Sequence, residues 1–231
     1  MDPRKLFYDE RSKNWCIYCG GEAQTVDHLP SKIFLQKPYP NNLHGVDACR
    51  SCNNAFSQDE EYVACFLHCV ISGTTKPESL TDERVARALI RNQKLREAIE
   101  GSHKDINGNA VWYPDIDRVK HIVLKIALGH IYYELAEVMQ DEPDIFEIFP
   151  LGLIGENERI EFETRASCVI SSWPEIGSRE YLRITGEIID ENLRDDWFII
   201  QDNIYRFSIE YQPQVQVKIV FNEYLGCRLV W

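Results

Sequence analysis

Two pairs of cysteines carry the strongest chemical signal in this sequence. Each pair has two intervening residues, and 29 residues separate the pairs, which are Cys16 with Cys19 and Cys49 with Cys52. A tight turn within such a pair places both thiolates on the same side, and two pairs complete the tetrahedral ligand set of one zinc ion. The spacing therefore predicts a structural zinc site. The alternative is two redox-active or buried thiol pairs, but a thioredoxin-like site needs a βαβ context, which this region lacks.

Polar residues suited to a second kind of chemistry lie within and directly after the segment that the zinc would close. They are Asp27 and His28, Asn41 and Asn42, and Asn53 and Asn54. A histidine with an ordinary pKa can take a proton from water, and carboxylate and amide oxygens suit Mg²⁺ or Mn²⁺. Phosphodiester hydrolysis needs such a base, and a cation to stabilise the charge that develops on the phosphate.

The order CxxC, DHxxP, NL and CxxCN resembles the HNH endonuclease family in its four-cysteine, zinc-stabilised form. The resemblance covers residues 14–58. It implies a ββα-metal fold, with Asp27 and His28 on the second strand of a hairpin and a helix after the last cysteine. It also implies that His28 is the general base and that Asp27 and Asn53 bind a catalytic Mg²⁺ or Mn²⁺. Asn42 would fix the loop that orients His28.

This sequence departs from the family pattern in two places. Many members have a lysine three residues after the final asparagine, where this chain has Phe56, so one phosphate contact is missing. Asn54 stands beside Asn53, which leaves the choice of metal ligand open.

The resemblance implies a metal-dependent endonuclease that acts on DNA, with RNA left open as a substrate, and a role in restriction or antiviral defence. One alternative is a catalytically silent zinc module that binds protein or nucleic acid. Another is a nuclease subunit that is activated by a partner such as an ATPase.

The charge of the chain is distributed unevenly. The formal net charge is −12, which by itself argues against nucleic-acid binding. Residues 141–200 hold 15 Asp and Glu against 5 Lys and Arg, a net charge of −10, whereas residues 1–70 have a net charge of only −2. The acidic stretch therefore does not exclude DNA from the cysteine-rich region, and it is a candidate docking surface for a protein partner.

Two weaker patterns lie in the middle of the chain. Cys65, His68 and Cys69 have helical spacing and could bind a second metal, although a helix with this pattern of apolar residues more often simply buries its thiols. A row of cations could bind phosphates or form a solvated helix face. It consists of Arg84, Arg87, Arg91 and Lys94.

The periodicity of apolar residues predicts an α+β protein. Predicted helices cover 56–71, 81–100 and 115–139, and predicted strands cover 110–113, 159–162, 168–171, 181–189, 197–201, 204–211, 215–221 and 224–230. His121 and His130, on the last of the helices, are predicted core residues.

The same pattern predicts the organisation of the chain. We expect an HNH module over 1–72, a helical region over 73–140 and a mostly antiparallel β region over 141–231. Because the sequence has no apolar signal-peptide core and no apolar run of membrane-spanning length, we expect a cytoplasmic protein without membrane contact.

Overall fold

The chain folds as a mixed α+β protein in a computed structural model, which describes residues 14–107, 109–165 and 173–231. It forms two compact units: Met1–Asn53 with Val123–Trp231, and Asn54–Ile122. The α+β class predicted from the sequence is confirmed. The division into 1–72, 73–140 and 141–231 stays a prediction.

The first unit opens with a pair of antiparallel strands, β1 (Thr25–Leu29) and β2 (His44–Ala48), in which Asp27 faces Val46. Helix α1 (Arg50–Ser72) begins two residues after β2. The expectation that the Asp27 strand is the second of the hairpin is wrong, because the strand that pairs with it, β2, comes later in the chain and leads into the second cysteine pair. The Asp27 strand therefore comes first.

The larger element of this unit is a six-stranded antiparallel sheet with strand order β5-β10-β9-β8-β7-β6. Its strands are β5 (Ile145–Pro150), β6 (Leu193–Arg194), β7 (Trp197–Gln201), β8 (Tyr205–Glu210), β9 (Gln216–Phe221) and β10 (Leu225–Val230). The four strands predicted after residue 196 are confirmed. Alternating β-branched and aromatic residues make this region readable from the sequence.

Two predicted strands of this unit are helices instead. The segment 159–162 lies in α5 (Glu156–Glu163), where the Glu158 side chain accepts a hydrogen bond from the Gly155 N–H and so caps the helix. The segment 181–189 begins in α6 (Arg179–Ile184), which the Ser178 hydroxyl caps. Capping side chains satisfy the free N–H groups of short helices, so local hydrogen bonding decided both cases. The strand predicted over 168–171 lies outside the described residues.

The second unit is mostly helical. The helix predicted over 81–100 is two helices, α2 (Glu83–Arg91) and α3 (Gln93–Gly101), because the Asn92 side chain accepts the Leu95 N–H and starts a new helix. Asp82 caps α2, since its side chain accepts hydrogen bonds from the N–H groups of Arg84 and Val85. A short hairpin follows, formed by β3 (His103–Ile106) and β4 (Asn109–Trp112). Strand β4 was predicted, whereas β3 was not.

The last long helix is α4 (Ile116–Leu135), which confirms the helix predicted from residue 115. From Val123 onward it belongs to the first unit. None of the described helices is both long and apolar enough to cross a membrane.

Candidate functional site

The four cysteines of the two CxxC pairs form one cluster. The Sγ atoms of Cys16, Cys19, Cys49 and Cys52 all lie within 4.8 Å of one another. The Cys19 and Cys49 sulfurs are 3.8 Å apart, and Zn–S bonds of about 2.3 Å in tetrahedral geometry place sulfurs about 3.8 Å apart. The four side chains could therefore hold one metal ion such as zinc.

Local backbone geometry presents the first pair. The Gly20 N–H donates to the Cys16 carbonyl over 2.8 Å, and the Cys16 N–H donates to the Gly21 carbonyl over 2.7 Å. Gly20 has φ of +70°, a conformation that glycine adopts without steric cost. A glycine after the first pair is therefore required by the turn.

The second pair opens helix α1. The Cys52 N–H points at the Cys49 sulfur over 3.3 Å, and this contact, with the Cys52 thiol, lowers the pKa of Cys49 to about 7. Burial and the three neighbouring thiols raise the pKa of Cys52. Four thiols this close cannot all ionise without a cation among them, and a bound zinc supplies that cation.

The cluster is tied to the β1–β2 pair. The Ile17 N–H donates to the Asp47 carbonyl over 3.1 Å, and the Gln24 side chain accepts the Arg50 N–H over 3.1 Å. A metal bound to the cysteines would therefore fix the hairpin and the start of α1 together.

Asp27 lies beneath helix α4. It is 4% exposed, and the Tyr18 hydroxyl donates to its Oδ2 over 2.7 Å. The ammonium of Lys125 lies 2.9 Å from Oδ1 and 2.8 Å from Oδ2, and it also donates to the Ser31 hydroxyl over 2.9 Å. Both carboxylate oxygens are therefore engaged by protein donors, and one donor is a buried cation.

The catalytic divalent ion implied by the resemblance does not fit Asp27 in this arrangement. A ligand oxygen must turn a lone pair toward the ion, yet here an ammonium lies against both oxygens. The Asn53 amide nitrogen donates to the Thr25 hydroxyl over 3.0 Å, and this contact does not involve Oδ1, the atom that would bind an ion.

Helix α4 covers the strand face that carries Asp27. Lys125 and Gly129 are one turn apart on α4, and they contact Asp27 and Leu29, which are two residues apart on β1. A Cβ on Gly129 would lie 2.3 Å from a methyl carbon of Leu29. A glycine at this position therefore permits the close approach that buries the ion pair.

His28 is half-buried, and its Nδ1 is buried. Burial lowers the pKa of His28, and the Lys32 charge acts in the same direction, whereas the His44 backbone and the Asp27 carboxylate oppose it. The imidazole is therefore neutral near pH 7, the form that a general base requires.

The two remaining predicted residues lie on the surface. Asn42 is exposed in the turn before β2, and Asn54 is exposed on α1. The structure thus brings the cysteines together and places Asn53 beside β1, while Asp27 lies in a buried ion pair.

The first unit contains a buried polar network that the sequence patterns did not predict. His44 stacks on Tyr133 with ring centroids 4.2 Å apart, and the His130 Nε2 lies 2.8 Å from the Tyr205 hydroxyl. Burial, with Arg179, lowers the pKa of His44 to about 3. His130 is fully buried, as predicted.

Arginines of α6 complete this network. Glu134 is fully buried and lies 2.5 Å from Arg183 and 3.3 Å from Arg179. Asp190 pairs with both arginines. Glu134 and Lys125 interrupt an otherwise apolar helix face, and a charged residue in such a position is a signal that could have indicated a buried partner.

Part of the predicted acidic surface is also neutralised within the chain. Arg206 pairs with Glu163 over 2.6 Å, and Arg228 pairs with Glu147 over 2.9 Å. With Asp190 in the network above, several acids of 141–200 have internal partners.

In the second unit, burial raises the pKa of Cys65 to about 12 and of Cys69 to about 11. The four-cysteine cluster is the one group of metal-binding side chains found among residues 14–107, 109–165 and 173–231. A second metal at Cys65, His68 and Cys69 therefore finds no support there.

Two cations of the predicted basic row are paired with acidic residues of the second unit. The predicted basic row is divided between two helices, with Lys94 on α3. Arg84 lies 2.7 Å from Asp82, and Arg91 lies 2.5 Å from Glu61. These ion pairs offset part of the charge that the row would offer to phosphates.

The expectation that His121 is a core residue is wrong. The side chain is exposed, and its Nδ1 lies 2.8 Å from the Asp59 carboxylate. A charged partner at the surface holds the ring on the polar side of α4.

Comparisons with protein-family models, with curated proteins and with solved structures give no match to this chain.

Proposed function

We propose that strands β1 and β2 and the first turn of α1 form a zinc-stabilised module that hydrolyses phosphodiester bonds in DNA. One observation carries the proposal: four cysteine sulfurs lie within 4.8 Å of one another, two of them before a strand–strand–helix segment and two at the start of its helix, and the first strand ends at His28-Leu29. The order strand, strand, helix is the one that the resemblance to HNH endonucleases implies, although His28 lies on the first strand and not on the second.

His28 is the proposed general base. Its imidazole is neutral near pH 7, since burial lowers its pKa, and its Nδ1 is the buried nitrogen. Nε2 would accept the proton from a water molecule. The water oxygen would then form the new bond to phosphorus as the bond to the leaving oxygen breaks.

The zinc has a structural role in this proposal. Four sulfur ligands complete the tetrahedral shell and leave no position for a substrate oxygen. The ion would hold His28 and the start of α1 in place. A catalytic Mg²⁺ or Mn²⁺ is part of the family expectation, but the proposed proton transfer requires no ligand role from Asp27.

A cleavage assay tests the proposal. Zinc-loaded protein would be incubated with plasmid, linear and single-stranded DNA and with RNA, each with Mg²⁺, Mn²⁺ or Ni²⁺. We expect cleavage of DNA, and we expect His28→Ala to reduce its rate by about 10²–10⁴-fold, the usual contribution of a general base.

The matched control is His103→Ala, which changes an exposed histidine on β3 and should leave the rate unchanged. Zinc content and melting temperature should be the same in both variants and in the wild type. Undiminished cleavage by a folded His28→Ala protein would remove His28 from the reaction.

A second candidate is a catalytically silent zinc module that binds protein or nucleic acid. The buried ion pair between Asp27 and Lys125 favours it, because the carboxylate is not free to bind a catalytic ion. Absence of cleavage on every substrate and with every ion, by zinc-loaded folded protein, would select this candidate.

A further inference from the structure

The polar cluster around Asp27 already contains a cation. Lys125 extends from α4, its side chain is 0% exposed, and its ammonium contacts both Asp27 oxygens and the Ser31 hydroxyl. The Tyr18 hydroxyl donates to the same carboxylate. The cluster thus joins α4, β1 and two neighbouring loop segments through one carboxylate.

We propose that the Lys125 ammonium takes the place of a divalent ion at Asp27, so that this carboxylate is a positioning group and holds no metal. The ion pair belongs to the same hairpin as the proposed cleavage, but its role in excluding a metal does not depend on that activity.

Electrostatics and access both support this assignment. A divalent ion at Asp27 would lie within a few ångströms of a buried ammonium, and two cations that close repel strongly where little water screens them. The alternative is for the ion to displace the ammonium from Asp27, which would separate a buried charge from its carboxylate. The absence of a side chain at Gly129 lets α4 approach Leu29 on β1 closely, which brings the lysine within reach of Asp27.

Burial also excludes a direct role for Lys125 on a phosphate. A side chain with no exposed surface cannot reach a substrate on the outside of the hairpin. The charge of Lys125 therefore acts through Asp27, by fixing the β1 segment next to His28.

Binding of Mn²⁺, followed by electron paramagnetic resonance of the free ion, tests the inference on zinc-loaded protein. The decisive comparison is between the wild type and Asp27→Asn/Lys125→Met, which removes both charges together and leaves neither of the two buried alone. We expect equal Mn²⁺ affinity, within about twofold, because neither protein offers a free carboxylate at this position. Affinity of the wild type at least tenfold higher than that of the double variant would overturn the inference.

The single variant Lys125→Met tests whether removal of the ammonium permits Mn²⁺ binding at Asp27. With the ammonium gone, Asp27 is free to bind, and we expect at least a tenfold gain in Mn²⁺ affinity over the wild type. Lys120→Met, at an exposed lysine on the same helix, is the matched control and should gain nothing. A folded Lys125→Met protein without that gain would show that Lys125 does not exclude the ion. If this variant does not fold, the wild type and the double variant decide the matter.

The readout separates this inference from the proposed function. Cleavage without Asp27-dependent Mn²⁺ binding would support both. Failure to cleave would leave the Mn²⁺ comparison intact, and Asp27-dependent binding in the wild type would overturn the inference whether or not DNA is cut.

Discussion

The hairpin carries two polar clusters whose negative charges are neutralised in different ways. At its base, four thiols lie within 4.8 Å of one another, and their ionised forms would repel. Beneath α4, the Asp27 carboxylate is paired with the Lys125 ammonium at 2.8 Å. The first cluster needs an external ion to neutralise its ligands, whereas in the second a lysine of the same chain neutralises the carboxylate.

The cysteine cluster is also more exposed to solvent than the Asp27–Lys125 pair. Cys19 is exposed and two of the other cysteines are intermediate, so an ion from solution can reach them. Asp27 and Lys125 are almost fully buried. Ligand type alone therefore does not identify a metal site, because a cationic side chain from a helix distant in sequence can pair with the carboxylate in place of an ion.

The largest effect should follow from breaking the cysteine cluster. Cys49→Ser removes one ligand, and we expect loss of the one zinc per chain and of the cooperative unfolding of the hairpin. Structural zinc contributes an apparent ~10–16 kcal/mol to the folding of small zinc modules. Elemental analysis and thermal unfolding measure both losses.

The control for this change is Cys65→Ala, which alters a buried thiol outside the cluster and should retain the zinc. Retention of one tightly bound zinc by Cys49→Ser would contradict the four-cysteine assignment.

Breaking one side of the ion pair should have the next largest effect. Asp27→Asn or Lys125→Met leaves a buried group without its partner, at a cost of about 3–5 kcal/mol in unfolding free energy. The double variant should recover most of that loss, because neither charge stays buried alone. Urea unfolding of the four proteins gives the coupling between the two residues. Additive losses would show that the pair does not interact as described.

A change in the packing of α4 on β1, next to the ion pair, should have a smaller effect. Gly129→Ala places a Cβ 2.3 Å from a Leu29 methyl carbon, and such overpacking costs about 1–3 kcal/mol. Gly101→Ala is the matched control, because a Cβ there meets no atom within 4 Å. The control should be neutral or more stable by up to about 1 kcal/mol. Equal stability changes in the two variants, measured by urea unfolding, would contradict the close approach of α4 to β1.

The smallest effect concerns pH. Burial lowers the pKa of His44 from its ordinary 6.5 to about 3. Between these values the unfolded chain binds a proton that the folded chain does not, so stability falls as the pH decreases, by about 1.4 kcal/mol per pH unit. His44→Phe should flatten this dependence, as measured by urea unfolding from about pH 7 to about pH 5. An unchanged slope would place the His44 ring in contact with solvent.

The sequence pattern predicted the cysteine cluster but not the Asp27–Lys125 pair, and the reason is physical. Zinc ligands in CxxC pairs are specified by local turns, which spacing reveals. The Asp27–Lys125 pair joins residues 98 apart in the chain, and nothing local to either residue specifies it. The resemblance therefore suggested a metal ligand where tertiary packing places an ion pair.

Only part of the fold was predictable from the sequence. Strands β8, β9 and β10 were predictable because dense β-branched and aromatic residues favour a pleated, buried surface. Helices α5 and α6 were not, because each is short and is set by one capping group, Glu158 or Ser178. Short amphipathic segments of this kind satisfy helix and strand patterns alike.

X-ray absorption at the zinc edge of the purified protein tests most directly the claim that the cysteines, and not Asp27, hold the metal of this hairpin. We expect a first shell of four sulfur atoms at about 2.3 Å from the zinc. A first shell that contains oxygen or nitrogen, or a protein that carries no zinc, would contradict the claim.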